Sequence, residues 1–261
     1  MRQLYLDCSM GAAGDMLAAA LYELLGDEQK KTFLDTMSEM MPDGVEVSVT
    51  PSVKCGIKGT HFDVAINGET EKSEDHHHDH DHDHHHDHSH SHSHRKMSDI
   101  AALIDGFAGV GDDVKASIKE VYSLIADAES KVHGVDVTEI HFHEVGTLDA
   151  VADVSAACLL MDMIRPDSVI ASPVRTGKGK VHCAHGILPV PAPATAELLT
   201  GIPTYAGNID AELCTPTGAA LLRHFVNEFD AQPVMAVNRI GYGMGTKDFD
   251  ECNCLRALLT E

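Results

Sequence analysis

The sequence predicts an α/β (or α+β) fold, a mixed sheet with packed helices interrupted by a disordered His/Asp-rich loop. Three observations lead there. Short apolar runs of strand character alternate with longer runs of helical period. Gly-containing turns separate them. Between Asp75 and His94 the chain carries only histidine, aspartate and serine. Such a segment has nothing to bury against the entropy of ordering.

Taken in order, Gln3 to Asp7 reads as a short buried strand and Cys8 to Gly14 as a tight turn. Asp15 to Leu25 reads as a helix whose apolar set (Met16, Ala19, Ala20, Tyr22, Leu24) is broad, as on a helix packed against a sheet. Asp27 to Met41 is a second helix stopped by Pro42. Val45, Val47 and Val49 alternate as on a strand, and Lys54 to Ile66 continues strand-like with Gly56 and Gly59 at turns or bulges. Beyond the tract, Ser98 to Ala108 and Asp112 to His133 read as helices. Thr147 to Ile164 follows as a helix capped by Thr147. Val169 to Ser172 is strand-like, and Gly177 to Pro193 loop-rich. Helices are expected at Ala194 to Leu199 and Thr217 to Phe229, and closing strands at Val234 to Asn238 and Leu255 to Leu259. The organisation expected is a βααββ-like portion at 1–68, the loop at 69–97 and a main α/β portion at 98–261.

The 261 residues carry a net charge of −22. So acidic a surface suits metal cations and is a poor match for nucleic acid or anionic membrane. No uninterrupted apolar run approaches the ~18 residues of a membrane span. No apolar leader follows Met1. Seven scattered cysteines suit a reducing cytoplasm better than a disulfide framework. Cys252-x-Cys254 is a weak metal or redox signal, since two residues apart on a strand share one face.

Metal handling is the first function the residues suggest. The tract supplies His76, His77, His78, His80, His82, His84, His85, His86, His88, His90, His92 and His94. Imidazole favours nickel, zinc, cobalt and copper without choosing among them. Outside the tract, His141-Phe-His143-Glu144 is the sharpest constellation. Asp149 and Asp153, one helical turn apart on one face, stand ready as oxygen ligands or as orienting groups. Asp7-Cys-Ser-Met-Gly11-Ala-Ala-Gly14-Asp15 is a strand–turn–helix with free amides. Thr215-Pro-Thr217-Gly opens a helix, and both can meet an anion. Arg175 to Lys180 is a basic, glycine-containing run. His182 and His185 precede a stiff proline-rich stretch and are second-rank metal ligands.

Together these runs resemble the nickel-insertion (LarC) family. The resemblance is carried by Asp7-x3-Gly11-x2-Gly14-Asp15-Met16, Gly56-Ile57 and His141-Phe-His-Glu-Val-Gly146-x2-Asp149-x3-Asp153. It continues through Gly177-x-Gly179, His185-Gly-Ile-Leu-Pro-Val-Pro-Ala-Pro-Ala-Thr195 and Glu212-Leu-x-Thr-Pro-Thr-Gly-Ala-Ala220. Gly241-Tyr-Gly243-x-Gly245 and Asn253-x-Leu255-Arg256 complete it. Met10 and Cys252 depart from the pattern, where a small hydroxyl residue and a proline are expected.

The resemblance implies CTP-dependent insertion of Ni(II), with Mg or Mn, into a thiolated pyridinium mononucleotide. The product would be the nickel-pincer cofactor of lactate racemase-type enzymes. It implies that the nucleotide is bound mainly by a further C-terminal portion. Partners expected are that portion, the apo racemase and further copies of the chain in a homo-oligomer. Forming the carbon–nickel bond removes a ring proton, work for a base near neutral pKa. His141, His143, Glu144 and Asp149 are the candidates for nickel and proton work, and Gly11, Gly14, Thr215 and Thr217 for the substrate's phosphate end. The tract would gather nickel. Two other readings remain open: a nickel or zinc storage protein or metallochaperone, and a hydrolase with a metal at the Asp7/Asp15 turn.

Overall fold

The structure is a computed structural model and describes residues 1–70, 95–142 and 145–261. In chain order the elements begin with β1 (Gln3–Asp7), α1 (Gly14–Glu23), α2 (Asp27–Met40), β2 (Val45–Lys54), β3 (Ile57–Ile66) and β4 (Glu69–Thr70). After the tract come β5 (Arg95–Lys96), α3 (Met97–Asp105), α4 (Asp112–His133), β6 (His141–Phe142) and α5 (Leu148–Ile164). β7 (Ser168–Ala171), β8 (Val174–Arg175), β9 (Lys180–Cys183), β10 (Gly186–Pro189), α6 (Pro193–Leu198) and β11 (Thr204–Tyr205) follow. The chain ends with α7 (Pro216–Phe225), β12 (Glu228–Phe229), β13 (Arg239–Met244) and β14 (Cys254–Leu259).

One mixed sheet organises these elements, in the order β12-β7-β1-β14-β13-β3-β2, with β4 paired to β3. β1 runs parallel to β7, and β7 parallel to β12. β14 lies antiparallel between β1 and β13. The sheet therefore takes strands from both sides of the tract, and β13 meets β3 through a parallel register at Gly243 and Thr60.

Side-chain alternation sets the layers. Leu4, Leu6, Leu255, Ala257 and Leu259 point into the main core, where α1 lies against the sheet. Tyr5, Ile170 and Leu258 point the other way and form a small second cluster with Met235. α5 is apolar on nearly every side and is buried almost throughout, as expected of a helix with no wet face. It packs on α1, with α4 against it in turn. Among the described residues no helix is long and apolar enough to cross a membrane.

Three regions differ from expectation. The helix expected to Phe229 ends at Phe225, because Asn227 donates its N–H to Val169 O at 2.9 Å and Glu228–Phe229 joins β7 as an edge strand. The strand expected at Val234–Asn238 lies instead at Arg239–Met244. Gly241 and Gly243 lower the strand propensity there. They are needed because a Cβ would lie 1.9 Å from Ala20 O and 1.8 Å from Met16 O respectively, so α1 can rest on the strand only over glycine. Gly177–Pro193, read as loop-rich, contains the antiparallel pair β9–β10.

Candidate functional site

The carboxyl ends of the parallel strands β1 and β7 and the start of α1 gather most of the polar residues singled out in the sequence. In open α/β sheets this is the end where ligands bind. After β1 the chain turns at Gly11, whose φ of +85° and close pass by Leu213 O demand glycine. Ala12 donates its N–H to Leu213 O at 3.0 Å, and Thr215 donates to Ala12 O at 3.0 Å. The Gly11 turn and the α7 start, distant in sequence, are thereby laced together. Thr215 Oγ1 accepts from Gly218 N–H at 3.2 Å and lies 3.0 Å from Thr217 Oγ1.

Gly14 serves a second close approach. A Cβ there would lie 2.8 Å from Asp153 Cβ, so glycine lets the start of α1 touch α5. The Asp153 carboxylate accepts from the Asp15 backbone N–H. The Asp15 carboxylate bonds its own and the Met16 N–H groups. The first amides of α1 thus already serve carboxylates, which satisfies the helix end and leaves this terminus unsuited to a bare phosphate.

The acidic group is tense. Asp15 and Asp153 keep partial solvent contact but are densely surrounded by protein. Burial, then the charges of Asp15 and Asp149, push the Asp153 carboxyl well above the usual range. Burial raises Asp15 as well, with His61 opposing it. His61 is fixed by Met244 O at 2.8 Å on Nδ1 and by Asp63 at 3.2 Å on Nε2. Asp149, the expected supporting carboxylate, has a fully buried Oδ1 without a hydrogen-bond partner among the described residues.

The expected catalytic segment adjoins this group. His141 is exposed on β6, and Phe142 is buried with its ring edge-on to Tyr122 at 6.0 Å. His143 and Glu144 lie outside the described residues. Their neighbours are held firmly. Tyr122 donates its hydroxyl to Val145 O at 3.1 Å, and Arg95 donates to Gly146 O at 2.7 Å. Arg95 also pairs with Phe142, and Lys96 with His141, across β5–β6.

A second constellation lines the end of β1. Arg256 bonds Asp7, with Nε to Oδ2 at 3.0 Å. Burial would raise the Asp7 carboxyl, but the bonds from Arg256 and Ser9 outweigh it and hold Asp7 below its ordinary range. Arg175, expected in a basic loop, is instead buried in β8 and bound to Glu251 at 2.6 and 3.0 Å and to Asn208. Its charge is committed to these partners, so within the Arg175–Lys180 run it is not free to meet an anion.

The twelve tract histidines, His76 to His94, lie outside the described residues. His182 and His185 sit exposed on and beside the β9–β10 hairpin, and the His185 ring packs on His133 at 4.8 Å. They do not share a metal-ligand cluster. Among the described residues no three His, Cys, Asp or Glu side chains converge to hold an ion. Sequence reasoning missed Arg95, Tyr122 and His61, and met Arg256 only as part of the family resemblance, with no role. Only Arg95 left a usable trace, as the first cation after the tract.

The profile of the family described as nickel insertion protein matches residues 4–261. The chain belongs to the nickel insertion protein family. It is 41% identical to the pyridinium-3,5-bisthiocarboxylic acid mononucleotide nickel insertion protein of Clostridium kluyveri, over all of this chain and 62% of that protein. Proteins of the same name from Desulfitobacterium hafniense and Geobacillus kaustophilus are 39% and 37% identical, again over the whole chain and over 59% and 60% of theirs. The chain spans about six-tenths of the length of the curated relatives it matches. No solved structure matches it.

Proposed function

We propose that the protein takes part in inserting Ni(II) into pyridinium-3,5-bisthiocarboxylic acid mononucleotide, forming a nickel-pincer cofactor for a lactate racemase-type enzyme. The names of its relatives support the substrate and the metal. CTP with Mg or Mn drives the reaction, bound mainly by a further C-terminal portion, as the family resemblance implies. The activity is that of a lyase-class cyclometallase.

One observation carries the reading. Arg95, which follows His94 in the chain, pairs with Phe142, which precedes His143, and also bonds Gly146 O. A nickel-gathering tract and the segment suited to nickel and proton work are therefore joined at one point. His141, His143 and Glu144 receive nickel and take the ring proton, with Asp149 in support. The unpartnered Asp149 oxygen and the crowded Asp15–Asp153 pair favour cations, both the incoming Ni(II) and the pyridinium ring. The phosphate end turns away from them, toward the Gly11 turn and the hydroxyls of Thr215 and Thr217, where the α7 start offers positive potential.

The test is nickel incorporation into the thiolated pyridinium mononucleotide, read by mass spectrometry with CTP and Mg or Mn. It is run with this chain alone and with a relative's downstream portion added. Product supports the reading, and the arm that yields it locates the nucleotide site. Stoichiometric nickel binding with no product in either arm supports storage or delivery instead.

A further inference from the structure

We propose that Cys252 and Cys254 form a two-thiolate landing site for a borderline-soft divalent metal, open toward solvent. Side chains two residues apart on a straight strand share a face but stand about 7 Å apart. Here Cys254 donates its backbone N–H to Cys252 O at 2.8 Å. That three-residue turn pulls the two side chains together, and the sulfurs lie 3.6 Å apart. Two thiolates on one tetrahedral ion, with bonds of about 2.3 Å, span about 3.8 Å. The thiols are free, and their separation is far from the ~2.05 Å of a disulfide.

The surrounding loop holds this geometry. The Lys54 ammonium bonds Thr246 O at 3.1 Å, Lys247 O at 3.2 Å and the Asp248 carboxylate at 2.7 Å. Asn253, itself buried, donates to Lys247 O at 2.9 Å and accepts the Gly245 N–H at 3.0 Å. Cys252 reaches Lys54 O at 3.4 Å. Cys252 is partly exposed and Cys254 buried, so an ion arrives from one side. Burial, then the adjoining Cys252 thiol, pushes the Cys254 thiol up to about 12, with Arg256 opposing, so the metal must displace that proton as it binds.

Binding releases two thiol protons, forms two metal–sulfur bonds and changes no oxidation state. Two protein ligands leave further coordination positions to water or to an incoming sulfur ligand. A resident structural metal would be closed by four ligands, so this pair suits an ion in transit. Naming that ion nickel rests on the proposed function; the thiolate site itself does not.

The test titrates Co(II), or Ni(II) alone, into the reduced full chain without oxygen and follows thiolate-to-metal charge-transfer absorption. The histidine tract cannot produce that band. The proposal expects a band that saturates, after the tract has taken its share, at the intensity of one thiolate-bound metal per chain, disappears in Cys252→Ser/Cys254→Ser and persists in Cys55→Ser. A band retained in the double variant, or none in the unaltered chain, overturns it. Should the double variant misfold, alkylation of the unaltered chain decides: metal must slow iodoacetamide labelling of Cys252, and equal labelling with and without metal overturns the site. A saturating band together with no cofactor product in either arm of the incorporation test would leave this site standing while removing the nickel-insertion reading.

Discussion

Tyr122 and Asp153 show how single side chains set the site. The Tyr122 hydroxyl is the described partner of Val145 O inside the core. Tyr122→Phe strands that carbonyl and should cost about 1–2 kcal/mol in denaturant unfolding. It also loosens the Val145 end of the His143–Glu144 segment, so turnover should fall more than nickel binding does. Asp153 is protonated more readily in the fold than in the unfolded chain because burial, then Asp15 and Asp149, oppose its ionisation. Its contribution to stability is therefore full below the ordinary carboxylate pKa and is lost as pH rises through the raised value. Asp153→Asn keeps an acceptor for the Asp15 N–H and removes the charge. It should raise the melting temperature of the metal-free protein at pH 8 relative to pH 4 and flatten that pH dependence; an unchanged pH profile would show the carboxyl to be unstrained. At this scale the sequence exposed His141, Asp149 and Asp153 because they are neighbours in one run. Tyr122 and His61 reach the site through tertiary packing, which no local spacing records, and the roles of Arg95 and Arg256 depend on the same packing.

Helix α1 decides the arrangement of elements. It rests on β13 through Gly241 and Gly243 and meets α5 through Gly14. Gly243→Ala should cost about 3 kcal/mol in urea unfolding, because the new methyl has only backbone to displace. A loss below about 0.5 kcal/mol, the scale of an inert surface change, would show that α1 has room to move. The same glycines explain why the closing strand was expected too early: a Val-bearing segment outscored a Gly-bearing one on propensity, while the close packing that requires glycine is a long-range fact. β1, α1, α2 and the β2–β3 pair were legible because period, caps and Pro42 agree locally. The α7 end was not, since the pairing of Glu228–Phe229 with β7 supplies what helical propensity lacked.

For the whole molecule, alternation of strands and helices was enough to give the class. Strand order was not legible, since β14 inserts between β1 and β13 from the far end of the chain. The tract is joined to the fold at Arg95, beside β6. Deleting residues 75–94 should raise the nickel concentration needed for half-maximal product yet restore full turnover at saturating nickel; total loss there would give the tract a direct part in the chemistry. The division of labour proposed above gives insertion to the His141–Gly146 segment and its acidic surroundings and only metal gathering to the tract. It is tested most directly by measuring cofactor product and bound nickel together in His143→Ala, within a protein that also carries the C-terminal portion. Loss of product with nickel stoichiometry essentially unchanged is the expected result. Product formed at the unaltered protein's rate, or nickel lost in proportion to product, would contradict it.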